Sequence, residues 1–196
     1  GRMGAIRSED LIAGGAEVTI FSRRDLAAQD LSQKLNCSFA KYDDLLKVDF
    51  DGYVVATATN SHIEILDMLI PLGKPILCEK PIALELADTD AVLDRAKKAG
   101  AEIQVGFQRR FDPPIAKAKE LIDSGSVGTM YHIRFMSNDI EPSSREFLAG
   151  SGGVFRDLHV HDFDLAEWLC NEPIAEVFAT RRVREYQQYA SLTTAM

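Results

Sequence analysis

Cysteine, basic charge and long apolar runs are all scarce in this chain, and each shortage removes a class of protein. Its three cysteines, Cys37, Cys78 and Cys170, are widely spaced, odd in number and form no CxxC pair. They fit buried thiols in a reducing compartment, by default the cytoplasm, better than a disulfide framework or a zinc site. No apolar run approaches the roughly 20 residues that a membrane helix needs, and no basic-then-apolar leader stands before the domain. Against 30 acidic side chains there are only 22 Lys and Arg, for a formal charge of −8. That balance argues against nucleic acid or an acidic membrane as partner, while leaving room for a local phosphate site. No internal repeat and no low-complexity segment occurs. What remains is 46% hydrophobic and 27% charged over 196 residues, an ordinary globular composition able to bury a real core.

The order of elements points to an α/β fold. Glu17 to Phe21 and Tyr53 to Ala56 read as short strands, as do Ile76 to Cys78 and Glu102 to Gly106. Between them, Asp25 to Leu35, Ile63 to Leu72 and Glu85 to Lys98 carry apolar residues at helical spacing, with Gly73 and Gly100 as stops. Strands alternating with amphipathic helices predict βαβ units and a parallel sheet covered on both faces. Beyond residue 107 the pattern changes. Pro114 to Asp123 and Asp157 to Leu169 read as helices, and Met130 to Ser137 and Glu176 to Arg184 as longer alternating strands. Such strands suggest an open antiparallel or mixed sheet with one wet face. We therefore expect a nucleotide-binding domain over 1–108 and a second α/β domain over 109–196. The chain opens at Gly1 with no strand before its first helix, and closes at Ser191 to Met196 like the start of a strand. Both ends suggest a piece of a longer protein.

Four motifs carry chemistry. Gly1-Arg2-Met3-Gly4 matches the last four positions of G-x-G-x-x-G, with a helix after it and a strand ending about 20 residues on, where ribose readout belongs. Gly1 would let backbone approach a pyrophosphate, Gly4 would let the helix pack on the sheet, and the helix start supplies N–H donors. Where NAD-binding chains place an acid for the ribose hydroxyls, this one has Ser22, Arg23 and Arg24. Guanidinium groups grip phosphate in bidentate fashion, so NADP is favoured over NAD. The loop Ala56-Thr57-Ala58-Thr59-Asn60-Ser61-His62 lies at a strand's carboxyl end, where open parallel sheets bind ligands, and Asn60 or Ser61 can cap the next helix.

Glu79-Lys80-Pro81 occupies the equivalent strand end one βα unit later. A lysine in a partly dry site beside a positively charged nicotinamide has its ammonium form disfavoured, which suits proton transfer. Pro81 fixes the exit direction of the chain, with a cis bond as the candidate geometry. On its own the pair would be an ordinary surface salt bridge. Finally, in Gly152-Gly153-Val154-Phe155-Arg156-Asp157-Leu158-His159-Val160-His161-Asp162-Phe163-Asp164, Asp157 and His161 are four apart and on a helix share one face. A carboxylate there fixes an imidazole's tautomer and supports its protonated form. His159 falls on another face, and a metal site remains a minor alternative.

Taken in order, the glycine pair, A-T-x-T-x-x-H, C-E-K-P, G-F-x-R-R-F-D and G-G-x-x-x-D-x-x-x-H-D-x-D resemble the Gfo/Idh/MocA oxidoreductase family from Gly1 to about Thr180. The family includes glucose–fructose oxidoreductase and inositol 2-dehydrogenase. The resemblance implies a Rossmann domain, here without its first strand, and an incomplete C-terminal domain on a large, open, largely antiparallel sheet used for oligomerisation as a dimer or tetramer. It implies a constellation of Lys80, Asp157 and His161, and cofactor contacts from Gln108 and Arg109 beside those of Gly1, Arg2, Met3, Gly4, Ser22, Arg23, Arg24, Ala56, Thr57, Asn60, His62 and Glu79. Members run well beyond this length.

The expected activity is hydride transfer between NADP or NAD and a secondary alcohol or ketone of a sugar, inositol or similar polyol. His161, oriented by Asp157, would take the hydroxyl proton, and Lys80 would hydrogen-bond the same oxygen. A diol dehydrogenase or imine/ketone reductase of the same family is an alternative, as is a non-catalytic NAD(P)-binding regulator. The retention of Lys80, Asp157 and His161 speaks against the regulator. Substrate choice would fall to residues 138–152, with Asp139, Glu141, Ser143, Ser144 and Arg145 able to meet hydroxyls.

Overall fold

The computed structural model describes residues 1–137 and 151–180. It divides at Gly106 into two compact units, Gly1–Gly106 and Phe107–Met196. The first unit runs α1 (Arg2–Ala13), β1 (Thr19–Ser22), α2 (Asp25–Leu35), β2 (Ser38–Lys41), β3 (Tyr53–Val55), α3 (His62–Leu69), β4 (Ile76–Cys78), α4 (Leu86–Ala99) and β5 (Ile103–Val105). Its strands form two parallel sheets, β1–β2 and β3–β4–β5. Thr19 lies opposite Ser38 in the first, and Tyr53, Ile76 and Ile103 share a level in the second.

Parallel neighbours need a crossover, and helices supply it. α3 carries His62, Ile65, Leu66 and Leu69 on its buried face, with Val55, Ile76, Cys78 and Val92 also in the core. Gly73 and Gly100 end their helical segments at φ of 65° and 67°, a left-handed turn that costs a side chain with a Cβ 1 kcal/mol or so. One strand went unread in the sequence. β2 is only four residues long with Phe39 and Ala40 as its half-buried pair, too short a run to show a period.

The second unit contains α5 (Pro113–Asp123), α6 (Val154–Asp157) and α7 (Val160–Cys170). Pro113 and Pro114 open α5, where a missing N–H costs nothing because the first turn has no partner for it. Two expectations need correction. Residues 130–137 form no strand, although burial does alternate, with Ile133, Phe135 and Ser137 half-buried and Arg134 and Met136 exposed. The side chains obey the period of two, but no neighbouring described segment supplies a hydrogen-bond ladder. No strand lies within 176–180 either, and 181–184 fall outside the described residues.

Nor is there one helix from Asp157 to Leu169. Gly152 and Gly153, at φ of 76° and 88°, launch α6, which ends at Asp157. Leu158 and His159 form the step to α7, so Asp157 and His161 stand on separate helical segments and the shared-face argument does not hold. Among the described residues no helix is long and apolar enough to cross a membrane.

Candidate functional site

In the first unit the carboxyl ends of β3 and β4 lead into the two motif-bearing loops. After β3, Ala56 is half-buried while Thr57 and Asn60 are exposed. A Cβ added at Gly4 of α1 would lie 3.8 Å from Ala56, an ordinary contact, so the helix comes close to this loop without excluding a small side chain. Ser61 occupies the N-cap position of α3 but its side chain does not cap the helix. Its hydroxyl donates instead to Ala58 O at 2.8 Å, with Thr57 Oγ1 at 2.9 Å.

His62 is 1% exposed, and its ring bridges the two loops. Nδ1 lies 3.0 Å from Pro81 O and Nε2 3.3 Å from Thr57 O. Facing two carbonyl oxygens, the imidazole stands between the loop after β3 and the loop after β4. The Lys80–Pro81 bond is cis.

β4 delivers the charged pair. The sheet ladder extends past the strand, with Glu79 N–H donating to Val55 O at 2.9 Å and Gly106 N–H to Cys78 O at 2.8 Å. Glu79 is buried and accepts a hydrogen bond from Arg7 Nε of α1 at 2.7 Å, while Lys80 is half-buried. Beneath them Cys78 is fully enclosed. Burial, then the charge of Glu79, pushes its thiol up to about 12, so it is a packing residue and not a nucleophile.

At the end of β1, Ser22 Oγ accepts from the Arg24 backbone N–H at 3.0 Å. Arg23 is already engaged. It lies over the Tyr42 ring at 5.0 Å and pairs with Glu64 in the first turn of α3, and these hydrogen bonds raise its pKa further. No hydrogen bond joins the Arg24 guanidinium to a described residue. Gly1 and Arg2 are exposed and Met3 half-buried, and α1 has no side-chain cap over its first N–H groups.

In the second unit Asp157 is half-buried and His161 buried, the His161 ring meeting the edge of Phe107 at 6.1 Å. The same unit also holds a carboxylate–imidazole contact beyond the expected residues. His159 Nδ1 lies 2.8 Å from Asp162 Oδ2, and Asp162 Oδ1 also accepts from Arg109 at 2.8 Å and from Ser137 at 2.9 Å. Arg109 is therefore held by Asp162 and Ser137, while Gln108 is exposed. Asp162 and Ser137 were not picked out from the sequence; testing i,i+3 as well as i,i+4 around His159 would have found Asp162. A cavity of about 300 Å³ adjoins this network, lined in part by Arg109, Phe135, Ser137, Asp162 and Leu165. Among the described residues no three His, Cys, Asp or Glu side chains are grouped to hold a metal. Residues 138–150 of the expected substrate loop, including Asp139, Glu141, Ser143, Ser144 and Arg145, lie outside the described residues.

Parallel βαβ units that carry threonine, lysine and arginine at their strand ends define a Rossmann-type dinucleotide-binding domain. A model described as an oxidoreductase family with an NAD-binding Rossmann fold matches residues 4–107, and one described as the GFO/IDH/MocA C-terminal domain matches 115–195. The chain belongs to the GFO/IDH/MocA oxidoreductase family. It is 34% identical over 184 residues to myo-inositol 2-dehydrogenase of Thermotoga maritima, covering 91% of this chain and 55% of that one. It is 30% identical to scyllo-inositol 2-dehydrogenase (NAD(+)) of Bacillus subtilis, over 100% of this chain and 60% of that one. The crystal structure of a probable dehydrogenase from Thermotoga maritima superposes with a TM-score of 0.91 at 31% identity, across 98% of this chain and 59% of the other. The chain thus spans little more than half the length of these relatives.

Proposed function

We propose that the intact protein is a nicotinamide-dependent dehydrogenase acting on a secondary alcohol of an inositol or related polyol. The observation that carries this reading is the strand-end arrangement in the first unit, where the exposed Thr57 loop and the Glu79-Lys80-Pro81 loop follow adjacent parallel strands. Relatives at 30–34% identity with inositol dehydrogenase names support it.

The residues present fit a dinucleotide. The uncapped first turn of α1 and the close approach of Gly4 to Ala56 suit a pyrophosphate, and exposed Thr57 and Asn60 suit the ribose and nicotinamide end. Ser22 and Arg24 would hold the adenosine ribose, and a guanidinium not committed to another side chain favours NADP over NAD. Glu64, by engaging Arg23, leaves that task to Arg24. When bound, the cofactor supplies the hydride acceptor.

The chain's own residues handle the proton. His161, supported by Asp157, takes it from the reacting hydroxyl, and Lys80 donates a hydrogen bond to the same oxygen and steadies its developing charge. Turnover of myo- and scyllo-inositol with NADP and NAD tests the reading in the intact enzyme. Lys80→Ala should lower kcat by about 10²- to 10⁴-fold with nucleotide binding kept. A Lys80→Ala enzyme within about threefold of wild type overturns the assignment.

A further inference from the structure

Arg7 and Glu79 are 72 positions apart and meet inside the first unit. Arg7 sits on α1, the helix whose start would face the cofactor phosphates, and Glu79 immediately precedes Lys80. Their side chains are 18% and 7% exposed. A carboxylate so placed must have a partner, since an isolated buried charge costs several kcal/mol. Arg7 Nε supplies one to Oε1 at 2.7 Å.

The other oxygen is confined by backbone. A Cβ on Gly106 would stand 3.0 Å from Oε2 and 3.1 Å from Cδ, tighter than most side-chain contacts, so the carboxylate lies close against the glycine at the end of β5. Glu79 is also fixed by its own N–H, which donates to Val55 O. The residue next to Lys80 is therefore pinned on three sides, by β3, by Gly106 and by a helix far away in sequence.

We infer that Arg7 and Glu79 form a positioning pair, through which α1 sets the backbone and the local charge from which Lys80 works. Lys80 follows directly in a bend at the end of the β4 ladder, so a Glu79 held by Arg7 fixes the backbone from which the lysine departs. Released from Arg7, the carboxylate would repack toward another cation, and that change displaces the lysine. The role rests on the reading of Lys80 as a catalytic residue.

The test uses the intact enzyme as Arg7→Met, Arg7→Lys, Glu79→Gln and the Arg7→Met/Glu79→Gln double variant. Arg7→Met should lower kcat on the order of 100-fold, as a misplacement of about 1 Å can, with KM for the polyol changed far less and the pH profile of kcat displaced. Arg7→Lys should restore most of it, and the double variant should recover about tenfold over Arg7→Met, because no charge is stranded. Acetic anhydride labelling of Lys80, quantified by mass spectrometry, reads the same effect without turnover. Arg7→Met should change its rate severalfold and the double variant should return it.

A wild-type enzyme silent toward every inositol would sink the polyol reading alone, leaving the pair to be judged by labelling. Should Arg7→Met fail to fold, Glu79→Gln keeps the shape and removes the charge, and it should still alter Lys80 labelling. Wild-type labelling in folded Arg7→Met or in Glu79→Gln overturns the inference, as does a double variant no better than Arg7→Met.

Discussion

The two units hold their polar residues in opposite ways. In the first, position comes from backbone. Glu79, Lys80 and Thr57 follow parallel strands whose ladders continue one residue past β4, over a core in which Val55, Leu66, Ile76, Cys78 and Val92 are at most 2% exposed. In the second, side chains hold one another, with Asp162 receiving Arg109, Ser137 and His159, and Asp164 receiving Arg110. No strand ladder backs that network among the described residues. The contrast teaches that the frame of the first unit should answer to apolar volume, with the Arg7–Glu79 pair acting within that frame at the strand end, and that of the second to charge.

The largest effect expected from that contrast is in the first core. Leu66 is 0% exposed, on the buried face of α3 in the core that also holds Val55, Ile76 and Cys78. Leu66→Ala should cost about 2–5 kcal/mol, the lost transfer energy plus the cavity left behind. Denaturant unfolding gives the size, and hydrogen exchange should show faster opening of β3 and β4 amides. A loss under about 1 kcal/mol would mean that ladder and core are not coupled as described.

How far the sequence could be read follows the same division. β3, β4, β5 and the helices between them were legible because apolar runs, helical spacing and glycine stops are local signals. Glu79-Lys80-Pro81 was legible as a strand end for the same reason. Arg7 was not, since nothing local links it to a carboxylate 72 residues on. In the second unit the alternation of residues 130–137 correctly told inside from outside, but strand formation depends on a partner that alternation cannot reveal. The helix expected over Asp157 to Leu169 missed the break at Leu158–His159, where His159 turns to Asp162. Apolar periodicity carries no signal for a backbone step only two residues long.

Asp162 tests the other half of the comparison. Asp162→Ala leaves Arg109 and Ser137 without their shared acceptor, and should cost about 1–3 kcal/mol once the 30% exposure of Arg109 is allowed for. Asp162→Asn should cost less, since its amide oxygen still accepts. Faster exchange should appear in α7 while β3 and β4 keep their protection. Unchanged stability in Asp162→Ala would show that apolar packing around Leu165 and Leu169 holds this unit, and the contrast would collapse.

The smallest effect compares one residue type in both units. Cys170 is exposed and Cys78 buried, with its thiol pushed from 9.0 up to about 12 by burial and then by Glu79. At pH 8 a thiol reagent should modify native Cys170 and spare Cys78. Because the folded-state value is raised, the stabilisation is complete below the unfolded value near 9 and is lost as pH climbs from there toward 12. Wild-type stability should therefore fall more steeply over that range than that of Cys78→Ala, which has no thiol to ionise. Matching slopes would show that water reaches Cys78, and with it the strand end that Glu79 and Lys80 share.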